Sequence, residues 1–174
     1  MSDFLFKKDV DIYDPNVNGL VEFEAERQAR RLIMIPSESI APKAVRELLA
    51  SPFANIYAEG YPRPETRYQD EDTIMDYAYQ LGRYRRHSDP RYYKGVEYVD
   101  MLEALARRRA AELFAANDLN ADDLWVNVQP LSGAPANTAV YTALIQPGDA
   151  ILGMDLLVGG HLTADMASLA GKRP

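Results

Sequence analysis

The last third of the chain predicts an α/β protein built on a parallel sheet. The apolar run 124–128 is typical of a buried strand, and residues 134–145 follow with the small and apolar composition of a helix. A Gln-Pro-Gly-Asp turn at 146–149 then leads into a second apolar run at 150–153. Strand, helix and strand in this order form the unit from which parallel sheets are made.

Composition narrows the kind of protein further. The 174 residues are 47% hydrophobic, which is enough for one substantial core. The net charge of -7 argues against nucleic acid or an anionic membrane as a partner, because both are anionic and bind surfaces rich in Lys and Arg. Cysteine is absent and only His87 and His161 supply imidazoles, so disulfides and ordinary zinc sites are excluded. Without a signal peptide or an apolar run of membrane-spanning length, we expect a cytoplasmic protein.

Amphipathic spacing predicts helices at about 16–32, from Pro42 onward, and over 95–115. The segment 63–90 is bracketed by prolines and rich in both signs of charge, so we interpret it as an insertion. It should contain a short helix at about 72–86. The buried stripe of the 95–115 helix is predicted to consist of Val99, Leu102, Ala106, Ala110 and Leu113, with Arg107, Arg108 and Arg109 on its wet side.

The turn Ser132-Gly133-Ala134, between the first predicted strand and its helix, has the composition of an anion site. Unpaired N–H groups and the positive end of the helix dipole meet there, and Gly133 lets an anion approach the main chain. Ser132 can add a hydroxyl group. A phosphorylated ligand is therefore expected, although small residues at such a turn can also serve tight packing alone.

His161 follows the second predicted strand and is preceded by two glycines, Gly159 and Gly160. Ligands of open α/β sheets gather at the carboxyl ends of the strands, so Ser132 and His161 are predicted to line one crevice. The alternative is that His161 is a hydrogen-bonded residue at the start of a helix.

Five segments together resemble serine hydroxymethyltransferase, and they occur in that family's order. They are Ile-Pro-Ser-Glu-Ser at 35–39, Tyr-Ala-Glu-Gly-Tyr-Pro at 57–62, Arg-Tyr-Tyr-Lys-Gly-Val-Glu-Tyr-Val-Asp at 91–100, Val-Asn-Val-Gln-Pro-Leu-Ser-Gly-Ala-Pro-Ala-Asn at 126–137 and Gly-Gly-His-Leu-Thr at 159–163. Each segment is weak evidence by itself, but the five in order make a specific resemblance.

The resemblance implies a transferase of one-carbon metabolism and glycine biosynthesis. It would interconvert serine and glycine with pyridoxal 5'-phosphate as cofactor and tetrahydrofolate as the one-carbon acceptor, as a homodimer or higher oligomer. The implied fold is the aspartate-aminotransferase-like large domain of fold type I, with parallel strand-helix-strand units. Residues 1–52 would form an amino-terminal helical arm and the start of this domain. Residues 53–174 would form the first part of the cofactor-binding region, with the insertion 63–90.

The resemblance also assigns site residues. Ser132, Gly133 and Ala134 would hold the cofactor phosphate, His161 would lie flat on the cofactor ring, and Ser37 would contact the substrate carboxylate. The folate pocket would be bordered by Leu156, Gly160, His161 and Leu162.

A second group of implied site residues lies in the 57–62 and 91–100 segments. Tyr57 and Glu59 would come from the neighbouring subunit, Tyr57 near the cofactor phosphate and substrate, and Glu59 near the hydroxymethyl group. A carboxyl group shielded from water can move a proton, so Glu59 is the acid-base candidate, the alternative being a solvated loop acid. Tyr93 would assist exchange of the cofactor's lysine for the substrate amine, and Tyr92 would lie on the substrate and folate side.

Several departures limit this transfer of roles. The family usually joins the 57–62 and 91–100 motifs through a short link, and we hypothesise that the insertion 63–90 packs across the folate entrance or the dimer edge. The sequence continues as Ala164-Asp165 where the family commonly has His-Gly, and Ala134 replaces a common serine.

None of the five lysines lies in the family's lysine motif; they are Lys7, Lys8, Lys43, Lys94 and Lys172. The resemblance therefore predicts an amino-terminal portion of the enzyme that does not catalyse the reaction by itself. Two alternatives stay open: another fold type I pyridoxal-phosphate aldolase, and a truncated non-catalytic paralogue that acts by binding a partner subunit.

Overall fold

The structure is a computed structural model that describes residues 9–88 and 90–163. The chain divides into two compact units, with the boundary between Ala54 and Asn55. In the part of the chain that the structure describes, no helix is long and apolar enough to cross a membrane.

The first unit is helical. Its helices are α1 (Val10–Tyr13), α2 (Pro15–Arg30) and α3 (Lys43–Leu49), and a 3₁₀ turn at Pro52–Asn55 spans the boundary between the units. Helix α2 begins where predicted, because the Asp14 side chain accepts the N–H of Val17 over 3.0 Å and Pro15 occupies the first helical position. Helix α3 likewise begins directly after Pro42. These two starts are therefore set by local sequence.

The second unit is built around one long helix. Its helices are α4 (Glu71–Ile74), α5 (Tyr77–His87), α6 (Glu97–Phe114) and α7 (Gly133–Leu144), with 3₁₀ turns at Pro64–Tyr68, Ala121–Asp123 and Leu156–Val158. Helices α4 and α5 and the 3₁₀ turns on either side of α6 all pack against α6. The insertion thus lies on the central helix of its own unit.

The predicted single helix at 72–86 is wrong, since the insertion folds as two helices. Asp70 and Asp76 each accept a hydrogen bond from a first-turn N–H, so each caps a new helix. The buried Gln80 donates to the carbonyl of Thr73 over 2.9 Å, which holds the break between α4 and α5. A second side-chain cap inside an amphipathic pattern was the local signal for this break.

The 95–115 and 134–145 predictions correspond to α6 and α7, but the predicted buried face of α6 is wrong. Leu102 and Leu113 are 38% and 79% exposed. The buried positions are Met101, Glu103, Ala104 and Ala111. Which face of α6 is buried depends on the segments that pack against it, among them α4 and α5 of the insertion, and apolar periodicity alone does not specify these.

The two predicted strands are absent from the described residues, so the parallel strand-helix-strand unit is not formed there. A strand exists only where a neighbouring strand pairs with its N–H and C=O groups. Here two carbonyls of the segment 124–128 bond to side chains instead. Arg67 reaches Leu124 O over 3.3 Å, and Arg107, predicted to be solvated, reaches Val126 O over 3.1 Å.

Candidate functional site

The start of α7 has the geometry of an anion site. Ser132 is the extended residue before the helix and its side chain makes no capping hydrogen bond. The first helical bond back to Ser132 O comes from Ala136, over 3.2 Å. The N–H groups of Gly133 and Ala134 precede that bond and have no acceptor within the helix. A Cβ on Gly133 would meet nothing within 4 Å, so the main chain is open to a ligand.

The Gly-Gly-His segment is shaped by a tight turn. Gly159 has φ of +107°, in the left-handed region that favours glycine. Gly160 donates its N–H to Asp155 O over 2.9 Å. A Cβ on Gly160 would lie only 1.9 Å from Met154 O, so no side chain fits. Both glycines are therefore required by the turn that delivers His161.

A short hydrogen-bond chain joins His161 to α7. Asn137, in the second turn of α7, donates from Nδ2 to Thr163 Oγ1 over 2.8 Å. Thr163 Oγ1 in turn lies 2.8 Å from His161 Nδ1, and the Thr163 N–H donates to the same nitrogen over 3.2 Å. This chain links the two regions that the sequence predicted to share a crevice.

The same contacts define the tautomer of His161. A main-chain N–H can donate to Nδ1 only if that nitrogen carries a lone pair, so the neutral ring holds its hydrogen on Nε2. Thr163 is buried whereas His161 is exposed. The imidazole is thus held at Nδ1, while the side chain remains exposed to solvent.

The 57–62 and 91–100 motifs lie side by side, although the insertion separates them in sequence. Tyr92 donates its N–H to Glu59 O over 3.2 Å. The rings of Tyr57 and Tyr93 lie 5.5 Å apart between centroids, tilted by 34°. The structure therefore brings together the four residues that the resemblance placed around substrate and cofactor.

Arg91 lies at the centre of this pairing, a role that sequence reasoning missed. Its side chain is fully buried, with Nε 2.5 Å from Asp100 Oδ1 and an Nη 2.7 Å from Glu103 Oε2. Burial lowers the pKa of Arg91, but hydrogen bonds to Asp100 and Glu103 outweigh it and hold the pKa above its ordinary value. The available signal was the spacing of the two acids, three residues apart on one face of α6.

The remaining predicted residues are more dispersed. Ser37 lies exposed in a turn of the first unit, where Glu38 donates its N–H to Ile35 O over 3.0 Å. Glu59 is exposed as well, so the described residues do not shield its carboxylate from water. Leu156 opens the 3₁₀ turn before Gly159, and Leu162 is 58% exposed beside His161. Among the described residues, no cluster of His, Cys, Asp and Glu is arranged to hold a metal ion.

The open helix start, joined to an accessible histidine, is a type of site suited to a phosphate group. Comparison with known proteins identifies the family. The family model described as serine hydroxymethyltransferase matches residues 10–88 and 87–172. A curated serine hydroxymethyltransferase of Sulfurovum sp. (strain NBC37-1) is 43% identical over 94% of this chain and 32% of its own length.

Two further curated relatives bear the same name. The relative from Kocuria rhizophila is 45% identical over 91% of this chain and 30% of its own length. That from Bifidobacterium longum subsp. infantis is 42% identical over 88% of this chain and 28% of its own length. The chain belongs to the serine hydroxymethyltransferase family, whose members are fold type I pyridoxal-phosphate enzymes. It spans about a third of the length of the curated relatives it matches.

Proposed function

We propose that this chain supplies part of the active site of an enzyme that interconverts serine and glycine, with pyridoxal 5'-phosphate as cofactor and tetrahydrofolate as the one-carbon acceptor. Family membership along most of the chain supports this function. The observation that carries it is the open start of α7 joined through Asn137 and Thr163 to His161.

The start of α7 fits the phosphate end of the cofactor. A phosphate dianion would accept the N–H groups of Gly133 and Ala134 and be stabilised by the positive end of the helix dipole. Ser132 would donate its hydroxyl, which makes no bond to the helix it precedes. When bound, the cofactor supplies an electron sink for the bond-breaking steps at the substrate. The protein supplies orientation and charge control.

His161 would orient the cofactor ring. Its imidazole is planar and held at Nδ1 by Thr163, so it can stack on a flat ring and restrict tilting. The folate pocket would be bordered by Leu156, Gly160 and Leu162, together with the same histidine. Of these, Gly160 is the most constrained, because its main chain packs directly on Met154.

The paired 57–62 and 91–100 motifs would handle protons at the substrate. Glu59 would give and take a proton at the hydroxymethyl oxygen, and its exposure in the single chain leaves room for a second subunit to cover it. Tyr57 would lie near the cofactor phosphate of that subunit. Tyr92 and Tyr93 would line the substrate side, and Ser37 would bind the substrate carboxylate. A cytoplasmic homodimer or higher oligomer is the proposed assembly.

A hybrid enzyme tests this function directly. This chain would replace the matching third of the Kocuria rhizophila relative, and serine-dependent one-carbon transfer to tetrahydrofolate would be measured. We expect turnover in the hybrid, and a loss of roughly 10²-fold or more in kcat for Glu59→Gln, the size of a general acid-base contribution. A hybrid that folds and binds the cofactor but does not turn over would contradict the proposal.

A further inference from the structure

We infer that Arg91 is the positioning residue for the loop that carries Glu59, setting where this side chain stands relative to Tyr92 and Tyr93. The expected effect of Arg91 on catalysis rests on the proposed function, whereas its effect on the position of the loop does not. We name the side chains of Arg91, Asp100, Glu103 and Gln129 the Arg91 cluster.

Three consecutive carbonyls of the loop bond to the segment that begins at Arg91. One Nη of Arg91 donates to Ala58 O over 2.6 Å and to Gly60 O over 3.0 Å. Between them, Glu59 O accepts the N–H of Tyr92 over 3.2 Å. Glu59 therefore stands between two peptide groups held by the same guanidinium nitrogen, so a shift of that nitrogen would move its side chain.

Helix α6 fixes the guanidinium from the other side. Asp100 and Glu103 bind two further nitrogens of Arg91, which neutralises a charge that would be costly to bury alone. The guanidinium is planar with its donors in a fixed fork, so its orientation on α6 also determines where the loop carbonyls lie. A lysine ammonium has no such fork. The position of the loop is thus fixed relative to a rigid helix.

Two other residues complete the arrangement. Gln129 Nε2 donates to Gly60 O over 2.7 Å and to Glu103 Oε1 over 2.9 Å, bridging the loop and α6. Gly60 has φ of +102°, and a Cβ there would lie 3.1 Å from Arg91 Cα. Only glycine combines this conformation with so close an approach. The segment before the α7 turn therefore also contacts the Glu59 loop.

The cluster also explains how the site tolerates a long insertion. The chain leaves at Pro62, which is buried, and returns at Arg91, so both ends of the segment 63–90 meet beside the cluster. Closing a loop costs conformational entropy, and the hydrogen bonds from Arg91 to Ala58 O and Gly60 O, which join the two ends of the segment, help to offset that cost. Arg91 then holds the 57–62 and 91–100 motifs together, in place of a short covalent link.

The test compares Arg91→Lys with a matched control, Arg109→Lys, in the 174-residue chain. Arg109 pairs with Glu71 on the surface, where the two side chains are 59% and 46% exposed. We expect Arg91→Lys to speed hydrogen exchange of the Tyr92 N–H about tenfold or more, because charge-assisted hydrogen bonds to the loop are lost. The Tyr57–Tyr93 ring NOE should weaken, and the control should change neither. Equal behaviour of the two variants would overturn the inference.

Gln129→Ala provides a second, milder variant, since this residue is exposed and its removal leaves the buried ion pairs intact. It should raise exchange at Tyr92 several-fold, and no increase would count against the cluster. In the hybrid enzyme, Arg91→Lys should lower kcat with little change in KM for tetrahydrofolate. A loss confined to KM would contradict positioning of Glu59. If the unaltered hybrid is inactive, the proposed function fails while the exchange and NOE data still decide the role of Arg91.

Discussion

The guanidinium of Arg67 lies 4.0 Å from the ring centroid of Trp125. Arg67 also donates to the carbonyls of Asp122, over 2.5 Å, and Leu124, over 3.3 Å. It therefore ties the insertion to the start of the segment 124–128. This gives the insertion a partner within its own unit. Its packing across the folate entrance or a dimer edge stays a prediction.

Arg67→Ala should loosen the contact between the insertion and Trp125. The loss of a cation-π contact and two main-chain hydrogen bonds should lower the free energy of unfolding by about 1–3 kcal/mol. Trp125 is the only tryptophan of the chain, so its fluorescence reports the change directly. Arg85→Ala, at an exposed position of α5, is the control and should leave the emission unchanged. An unaltered spectrum and stability in Arg67→Ala would show that the contact contributes nothing.

The phosphate site at α7 can be tested by charge at a single position. Ser132→Asp and Ser132→Asn both place a good capping residue before the helix, so neither should weaken α7. Only the aspartate repels an anion. With inorganic phosphate or pyridoxal phosphate as the probe, the Gly133 and Ala134 amide resonances should shift in the unaltered chain and in Ser132→Asn. Equal phosphate shifts in Ser132→Asp would place the anion elsewhere.

Two glycine substitutions should change stability in opposite directions. Gly160→Ala drives a methyl group into the Met154 carbonyl and should destabilise the turn before His161 by about 1–3 kcal/mol. Gly19→Ala, inside α2, meets nothing within 4 Å and should stabilise its helix by about 0.5–1 kcal/mol. Hydrogen exchange around each site measures both. A neutral Gly160→Ala would mean that the turn is not as tight as described.

Glu24 should titrate well below an ordinary glutamate. Hydrogen bonds from Arg27 and then Gln28 lower its pKa from 4.5 to about 2. The folded pKa is depressed, so the stabilisation of α2 is complete above pH 4.5 and is lost as the pH falls towards about 2. Carboxyl ¹³C NMR measures this midpoint. Arg27→Gln should raise the pKa, whereas Arg31→Gln at the end of α2 should not; equal midpoints in both would contradict the assignment.

Helix starts were predictable because their causes are local. Asp14 with Pro15, and the open turn before α7, lie within a few residues of the helices they begin. The break inside the insertion also has a local cause, because Asp76 caps α5. The apolar spacing around Asp76 nevertheless predicted one continuous helix. The strands were not predictable in this way, because pairing depends on a neighbour that an apolar run does not specify.

The sequence by itself determined the family and the starts of α2, α3 and α7, because motifs and helix-start residues act over short separations. Only the tertiary structure decided which face of α6 is buried and why Arg91 is needed. Arg91 donates to Ala58 O, and its acidic partner Glu103 accepts from Gln129; these residues come from segments far apart in the chain, and contacts of that kind become visible only when the chain is folded. The predicted anion turn at Ser132 gained its link to His161 for the same reason, through Asn137 and Thr163.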